Sequence, residues 1–530
     1  MVLPAAAHAQ PFVVDASGSL RGELLGHAAT APDALSVWRA DPASAHFAMA
    51  PAPVTWNGGE PCRLAAPHSS AHIDLNGDCV ADLFLVCERG AYQIWTARRD
   101  VPLTYDLAQS GTLPPGAGAL SFADMNRDGT IDVVFPTCER GRCYINIAYN
   151  AQVPLCVAEA SGTWSRWLGN ASAPEAAAPM RCRDALALCE ADPDFRLDFA
   201  PGSPLLARVP LDEVVAGETQ LLLADDIGTR VLPVPLRVGD YNMDGYPDVA
   251  VITVPRGARP GDARLHLLAS APCRRGGAPG CDARVGVPRR TFRAVRGTVL
   301  DRLEYVRSAS FVDVDEDGTL DLLVQTLRPA SLRTSNARAH TFIQNNYYDD
   351  AFFLKAVTLN AACGARCEPR GAAPYAPWGG ALGGASYKFS VLDPNGVRRA
   401  QQVGQQAQTA YGALQPPSTY FGLGRTNNYV ESLFVGSTRR QPEPVLVLEG
   451  VIPNSEVVVI PTQPDAGGSP EHWRRELFLH PADWVPAVTL ALGALIAVLG
   501  LIVFGLDLRE KREDERERQR AVHAINFDAL

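Results

Sequence analysis

Four nine-residue segments carry oxygen-bearing side chains at one spacing: DLNGDCVAD at 74–82, DMNRDGTID at 124–132, DYNMDGYPD at 240–248 and DVDEDGTLD at 313–321. Positions one, three, five and nine are Asp74, Asn76, Asp78 and Asp82; Asp124, Asn126, Asp128 and Asp132; Asp240, Asn242, Asp244 and Asp248; and Asp313, Asp315, Asp317 and Asp321. Calcium is a hard cation satisfied by about six to eight oxygens, and a tight loop can aim side chains one, three and five residues along it at one centre. Glycine at position six (Gly129, Gly245, Gly318) permits the sharp turn; the first segment departs, with Cys79 at six and Gly77 at four. An Asp-rich turn without metal is the competing reading, because Asp, Asn and Gly favour turns by themselves. Thirteen carboxylates in four tight clusters would repel one another without a compensating cation, which favours up to four structural calcium ions.

The flanks say which elements position these oxygens. An EF-hand requires a helix on each side and a bidentate Glu at position twelve, where this chain has Leu85, Phe135, Val251 and Val324. Strand-like SFAD, LRVGD and ASFVD precede the loops, and apolar, β-branched DLFLV, DVVFP, DVAVI and DLLVQ follow. Each loop therefore joins two strands. Strand, DxDxDGxxD loop and strand at these intervals resemble the FG-GAP repeats of integrin α-subunits. That resemblance implies a β-propeller over residues 10–350. First Asp to first Asp, the intervals are 50, 116 and 73 residues. At roughly 40–50 residues per blade the region holds about seven blades, with an unmarked one near residues 160–230. A degenerate copy sits at Asp15, Ser17, Ser19 and Glu23, with too poor a ligand set to predict a metal.

Composition bounds the reading. The chain has 530 residues, 47% apolar and 20% charged, so it is globular and long enough for more than one domain. A net charge of −10 argues against nucleic acid as a partner, and four calcium ions would nearly neutralise it. The twelve cysteines form close pairs at Cys138/Cys143, Cys182/Cys189, Cys273/Cys281 and Cys363/Cys367, leaving Cys62, Cys79, Cys87 and Cys156. No His stands beside them at zinc spacing, so disulfides in an oxidising compartment are expected. Asn170 lies in a glycosylation sequon. Residues 1–9, ending Ala-His-Ala, read as the remnant of a signal peptide.

Residues 351–462 repeat short alternating strands without helical periodicity, which predicts a second all-β unit, a sandwich of about eight strands. FGLGRTNNYVE resembles a segment near the end of the small β domain that follows FG-GAP repeats in some secreted proteins, and its glycine pair, Gly422 and Gly424, also fits a tight turn between strands. Residues 463–484 read as a juxtamembrane linker, with Trp473 and Trp484 placed as interfacial aromatics. Residues 485–506 are uncharged and apolar over the length needed to cross a bilayer. The tail, 507–530, opens DLREKREDERERQR. Its basic residues place it on the cytoplasmic side, giving a single-pass type I protein with its ectodomain outside or lumenal, at the plasma membrane or in the secretory pathway. Glu510–Arg520 suits a short helix with i,i+4 ion pairs.

Propeller, sandwich, single span and charged tail together resemble the T-cell immunomodulatory protein family, also called linkin-type proteins. The most specific parts are Gly384 to Asn454 and the tail ending HAINFDAL. The resemblance implies a membrane glycoprotein in cell adhesion or cell-surface signalling, with a protein ligand for the ectodomain and a cytoplasmic partner for the tail. A secretory-pathway cargo receptor or folding factor is the alternative. A calcium-dependent hydrolase is a third reading. No GxSxG, HExxH, P-loop or GxGxxG motif supports an enzyme.

Overall fold

The computed structural model describes residues 6–40, 49–156, 182–218, 220–225, 231–255, 257–258, 262–273, 278–281, 289–327, 338–347, 351–360, 374, 380–392, 398–406, 411, 416–425, 429–439, 444–461, 469–479 and 484–522. They form two compact units, Met1–Phe478 and Leu479–Leu530.

The first unit begins with five sheets, antiparallel but for one edge strand, four of which contain a strand, one of the acidic loops and a second strand. The first sheet runs Phe12–Val14, Glu23–Ala28, Ala31–Ala40 and Met49–Ala52. The second holds Ala71–Ile73, Asp82–Val86, Ala91–Ala97 and Thr104–Thr112, with Thr55–Asn57 added parallel at its edge. The third holds Ser121–Ala123, Asp132–Glu139, Arg142–Ala148 and Leu206–Pro210. The fourth holds Arg237–Gly239, Asp248–Val254, Arg264–Pro272 and Arg290–Ala294, and the fifth Val306–Val312, Asp321–Leu327 and Arg338–Ile343.

Consecutive sheets are packed face to face, and strand periodicity explains how. Val133 and Phe135 join a core with Ile73, Phe84 and Ile94 of the second sheet, while Val134 between them joins Val249 and Val251 of the fourth. Alternate side chains of one strand thus feed two cores. A strand buried on both faces needs an unbroken apolar run, which is what DVVF and DVAVITV supply.

Five such sheets lie in the described residues, where the sequence spacing suggests about seven. The 116-residue interval contains no blade of its own among them. Instead Leu206–Pro210 returns as fourth strand of the third sheet, Gln220–Leu221 pairs with the fourth sheet, and Ala224–Asp225 and Leu232–Pro233 form a small separate ribbon. Within residues 1–9, Ala6 bridges Ala28 and Ala9 is buried.

The eight-strand sandwich is present. One sheet orders Thr419–Gly424, Phe352–Thr358, Ser455–Ile460 and Arg474–Leu479; the other orders Arg398–Gly404, Ser386–Leu392, Val430–Gly436 and Val445–Val451. Its core holds Tyr387, Phe389, Phe421 and Trp473. The sandwich therefore runs past residue 462 into the expected linker, and Trp473 is a core residue, 2% exposed, rather than an interfacial one.

The second unit is one helix, Trp484–Val522, in which the apolar span and the charged segment are continuous. Its 485–506 stretch is about 33 Å long at helical rise, sufficient for a hydrocarbon core. Lys511 Nζ lies 2.9 Å from Asp507 Oδ2, an i,i+4 pair of the expected kind. The closing HAINFDAL lies outside the described residues.

Candidate metal centres on the sheet hairpins

All four acidic segments are hairpin loops of one geometry. The residue before position one pairs with position nine in each: Ile73 with Asp82, Ala123 with Asp132, Gly239 with Asp248 and Val312 with Asp321. The position-one carboxylate accepts the position-six N–H, from Cys79 at 2.8 Å, Gly129 at 2.9 Å, Gly245 at 2.8 Å and Gly318 at 3.1 Å. Position five accepts from the N–H of position seven, over 2.7 to 3.0 Å across Val80, Thr130, Tyr246 and Thr319. Position nine ties the loop to its sheet. Its Oδ1 accepts from Ala97, Asn150, Ser270 and Asn345, in or just beyond the last residues of the third strand, at 2.7 to 2.9 Å. Positions four and six are left-handed in every loop, with φ of 88° and 65° at Gly77 and Cys79, and 61° and 85° at Arg127 and Gly129. Cys79 thus adopts the conformation that glycine takes elsewhere, at a cost of about 1–2 kcal/mol, and its disulfide to Cys189 holds it there.

These bonds bury carboxylates against one another. Asp74, Asp78, Asp82, Asp124, Asp132, Asp240 and Asp248 are all under 5% exposed. Burial, then the neighbouring Asp74, pushes Asp78 up to about 6; burial and Asp244 push Asp240 up to about 8. Asp82, Asp124, Asp132 and Asp248 are driven well above the carboxylate range, first by burial and then by their loop partners. Crowded anions of this kind are stable only with protons or a cation.

The donor chemistry suits a hard cation. Asn126 Oδ1 and Asp313 Oδ1 are buried and have no hydrogen-bond partner. Asp313, Asp315 and Asp317 bring three carboxylate oxygens within 4.8 Å of one another. The other three loops have asparagine at position three, so two carboxylates and an amide oxygen form the set. Position nine accepts backbone N–H groups on both its oxygens in all four loops, so positions one, three and five are the residues that would hold an ion.

What sequence reasoning missed is who else touches the loops. The sandwich sits on them. Lys388 Nζ, fully buried, donates to Gly77 O at 2.8 Å and Leu188 O at 3.2 Å and lies 3.9 Å from Asp74 Oδ2. Gln402 donates from its Nε2 to Asp74 Oδ2 at 2.8 Å and from its backbone N to Asp124 Oδ2 at 3.0 Å, joining two loops. Lys355 pairs with Asp313, and Tyr420 donates its hydroxyl to Gly318 O at 2.8 Å. Arg99 adds a second cation to the first loop, 3.1 Å from Asp78 Oδ2. The in-strand glycine pair was the readable signal. A Cβ on Gly422 would lie 1.8 Å from Asp240 Oδ2, and Gly424 N donates to Met243 O at 2.8 Å. These glycines mark close backbone approach, not a turn.

Five disulfides are described: Cys62–Cys87, Cys79–Cys189, Cys138–Cys143, Cys156–Cys182 and Cys273–Cys281. Cys182 and Cys189 are both bonded, but not to each other. Their true partners lie 4.9 and 5.1 Å away between Cα atoms, brought close by the fold rather than by sequence. Cys363, Cys367 and Asn170 lie outside the described residues.

Acidic hairpin repeats, a C-terminal sandwich and a long apolar helix define the class: an FG-GAP-repeat protein with one candidate span among the described residues. The family description "FG-GAP-like repeat" matches residues 74–135, and "ITFG1, C2 domain" matches 377–478. A T-cell immunomodulatory protein of Macaca fascicularis is 33% identical over 304 residues, 56% of this chain and 91% of that one. The Homo sapiens protein of that name is 28% identical over 482 residues, 88% of this chain and 68% of its own length. Protein linkin of Caenorhabditis elegans is 25% identical over 431 residues, 77% and 66% of the two chains. The chain belongs to the T-cell immunomodulatory protein family.

Proposed function

We propose that this protein is a type I single-pass membrane protein whose ectodomain is a calcium-braced platform for a protein ligand, in cell adhesion or cell-surface signalling. The five sheets, packed face to face in series, are read as blades of a propeller. The observation that carries the bracing is the convergence of the hairpins on the sandwich. Asp74, Asp124 and Asp313 each bond both their own loop and a sandwich residue. An ion at a hairpin would therefore fix the loop and the sandwich together. Affinities of about 10⁻⁴–10⁻³ M, usual for extracellular modules, would keep the sites filled outside the cell, so calcium acts as structure rather than signal. The chain's own sandwich occupies much of the hairpin face, although Asp315 and Asp317 of the fourth hairpin stay exposed, so the partner is sought on other surfaces. The disulfides support an oxidising location for Met1–Phe478. The test is hydrogen exchange on the full chain in detergent. Calcium is expected to slow exchange at the four hairpins and at strands Arg398–Gly404 and Thr419–Gly424 together; equal exchange in chelator sinks the bracing. Proximity labelling from the ectodomain on intact cells addresses the partner, and labelling confined to cytoplasmic proteins would overturn the topology.

A further inference from the structure

The strand that closes the sandwich, Arg474–Leu479, changes character along its length. It follows Trp473, a core residue, and ends on Leu477, Phe478 and Leu479, which are 46%, 49% and 58% exposed. Successive side chains of a strand leave opposite faces. Leu477 and Leu479 therefore point one way and Phe478 the other, and both faces are open to solvent at this end. The strand is also the outermost of its sheet, with no strand on its far edge among the described residues. Single exposed apolar residues are ordinary, but three in a row at a strand end mark a surface that meets something apolar.

Two observations say what it meets. The first is the length of chain that follows. Four residues, 480–483, separate Leu479 from Trp484, where the helix carrying the candidate span begins. An extended chain advances at most about 3.6 Å per residue, so five steps keep Leu479 within ~18 Å of Trp484. Trp484 adjoins the uncharged run 485–506, and tryptophan in that place belongs to the headgroup layer. At so short a tether the local concentration of lipid surface exceeds that of any partner that must diffuse in. The second is charge. Arg474 and Arg475 are both exposed and directly precede the apolar residues; Arg474 pairs with Glu476. Arginine beside leucine and phenylalanine suits a membrane interface, where apolar side chains enter below the headgroups and guanidinium groups meet phosphate.

We propose that Leu477, Phe478 and Leu479 enter the outer or lumenal phospholipid leaflet, with Arg475 on lipid phosphate, so that the sandwich is seated on the bilayer. The inference rests on the type I reading of the 485–506 span and adds a second membrane contact to it. The interfacial place that spacing assigns to Trp473 passes to these three residues.

The test uses the full chain in phosphatidylcholine nanodiscs doped with a phospholipid whose acyl chain carries a diazirine close to the glycerol. Photolysis yields a carbene that inserts into the nearest side chain, and peptide mass spectrometry locates it. Label is expected on 477–479 and on 485–506. Label on 485–506 alone overturns the proposal and leaves the span standing; label on neither overturns both. A tether alone brings the segment near lipid, so a variant separates proximity from anchoring. Leu477→Ser with Phe478→Ser is expected to cut the label on 474–479 by about fivefold, with 485–506 labelled as before. Both side chains are exposed, so hydrogen exchange at the neighbouring strand Ser455–Ile460 should stay as in the wild type. Undiminished label in that variant would mean proximity without anchoring, and the proposal falls. It falls too if Leu323 and Phe342, an exposed apolar pair on the fifth sheet, label as strongly, because lipid would then adhere to any apolar surface.

Discussion

The hairpin of the first sheet and that of the third share a backbone and differ in chemistry. In both, the residue before position one pairs with position nine: Val14 with Glu23, Ala123 with Asp132. In both, the position-one Asp accepts from the N–H of position six, Leu20 at 2.8 Å and Gly129 at 2.9 Å. In both, positions four and six are left-handed. Yet positions three and five are Ser17 and Ser19 in one, Asn126 and Asp128 in the other. The turn is thus built by positions one and nine, and hydroxyls suffice at three and five. In the first sheet Arg39 supplies the cation, 3.0 Å from Glu23 Oε1. In the third no ion pair to Asp124, Asp128 or Asp132 is described, and Asn126 Oδ1 goes unpartnered. The extra carboxylates do nothing the turn requires, which is the argument for a metal.

The most forceful way to break this comparison is to remove calcium. At 2 mM calcium and a Kd of about 10⁻⁴ M each ion adds ~2 kcal/mol, so three or four sites together shift Tm by on the order of 10 °C. A scanning-fluorimetry trace unchanged by chelator would mean that the acidic loops, like the first one, need no metal. Next comes Lys388→Met, which leaves Asp74 and two carbonyls without their buried partner. The expected loss is about 3 kcal/mol, seen by denaturant unfolding with and without calcium alike. A loss only in chelator would show that Lys388 substitutes for the ion rather than accompanying it.

A smaller and more pointed test converts the third sheet's loop into the first's. Asn126→Ser with Asp128→Ser should keep the hairpin and lose one calcium site. In calcium the variant is expected to melt below wild type by the ~2 kcal/mol of one ion. In chelator it should melt no lower, and the order of the two curves would reverse. If the variant is destabilised equally in both conditions, positions three and five serve the turn and the argument from the first sheet fails.

Much of this was legible because it is local. A nine-residue pattern with apolar flanks specifies strand, turn and strand wherever it occurs, and period-two alternation specified the sandwich. The apolar 485–506 run specified a helix by length alone. What was not legible depends on distance along the chain. Leu206–Pro210 completes a sheet whose previous strand ends at Ala148, and nothing local in LARVP names that partner. The pairing of Cys79 with Cys189 is of the same kind. So is the seating of the sandwich on the hairpins, which turns Lys388 and Gln402 from ordinary strand residues into loop partners. Only Gly422 announced it, since glycine inside a strand asks what comes so close.

The smallest effect is the dependence on pH, and its sign separates protons from calcium. Asp78 at about 6 and Asp240 at about 8 are raised by burial and by their loop neighbours from an unfolded value near ~3.9. A raised carboxyl pKa means that the folded, metal-free state binds more protons than the unfolded one. Stability from these groups is complete below about pH 4 and is lost as pH rises through 6 to 8. Calcium requires the ionised carboxylates, so protons compete with it and its contribution grows over the same interval. Calcium-stripped protein should therefore melt progressively lower from pH 5 to 8, while protein in 2 mM calcium holds or gains. In the serine-substituted loop both slopes should flatten, because Asp128, whose burial raises its own pKa and whose charge raises that of Asp124, is gone. Parallel curves with and without calcium would mean that the buried carboxylates are satisfied by their own hydrogen bonds, as Asp15 is in the first sheet.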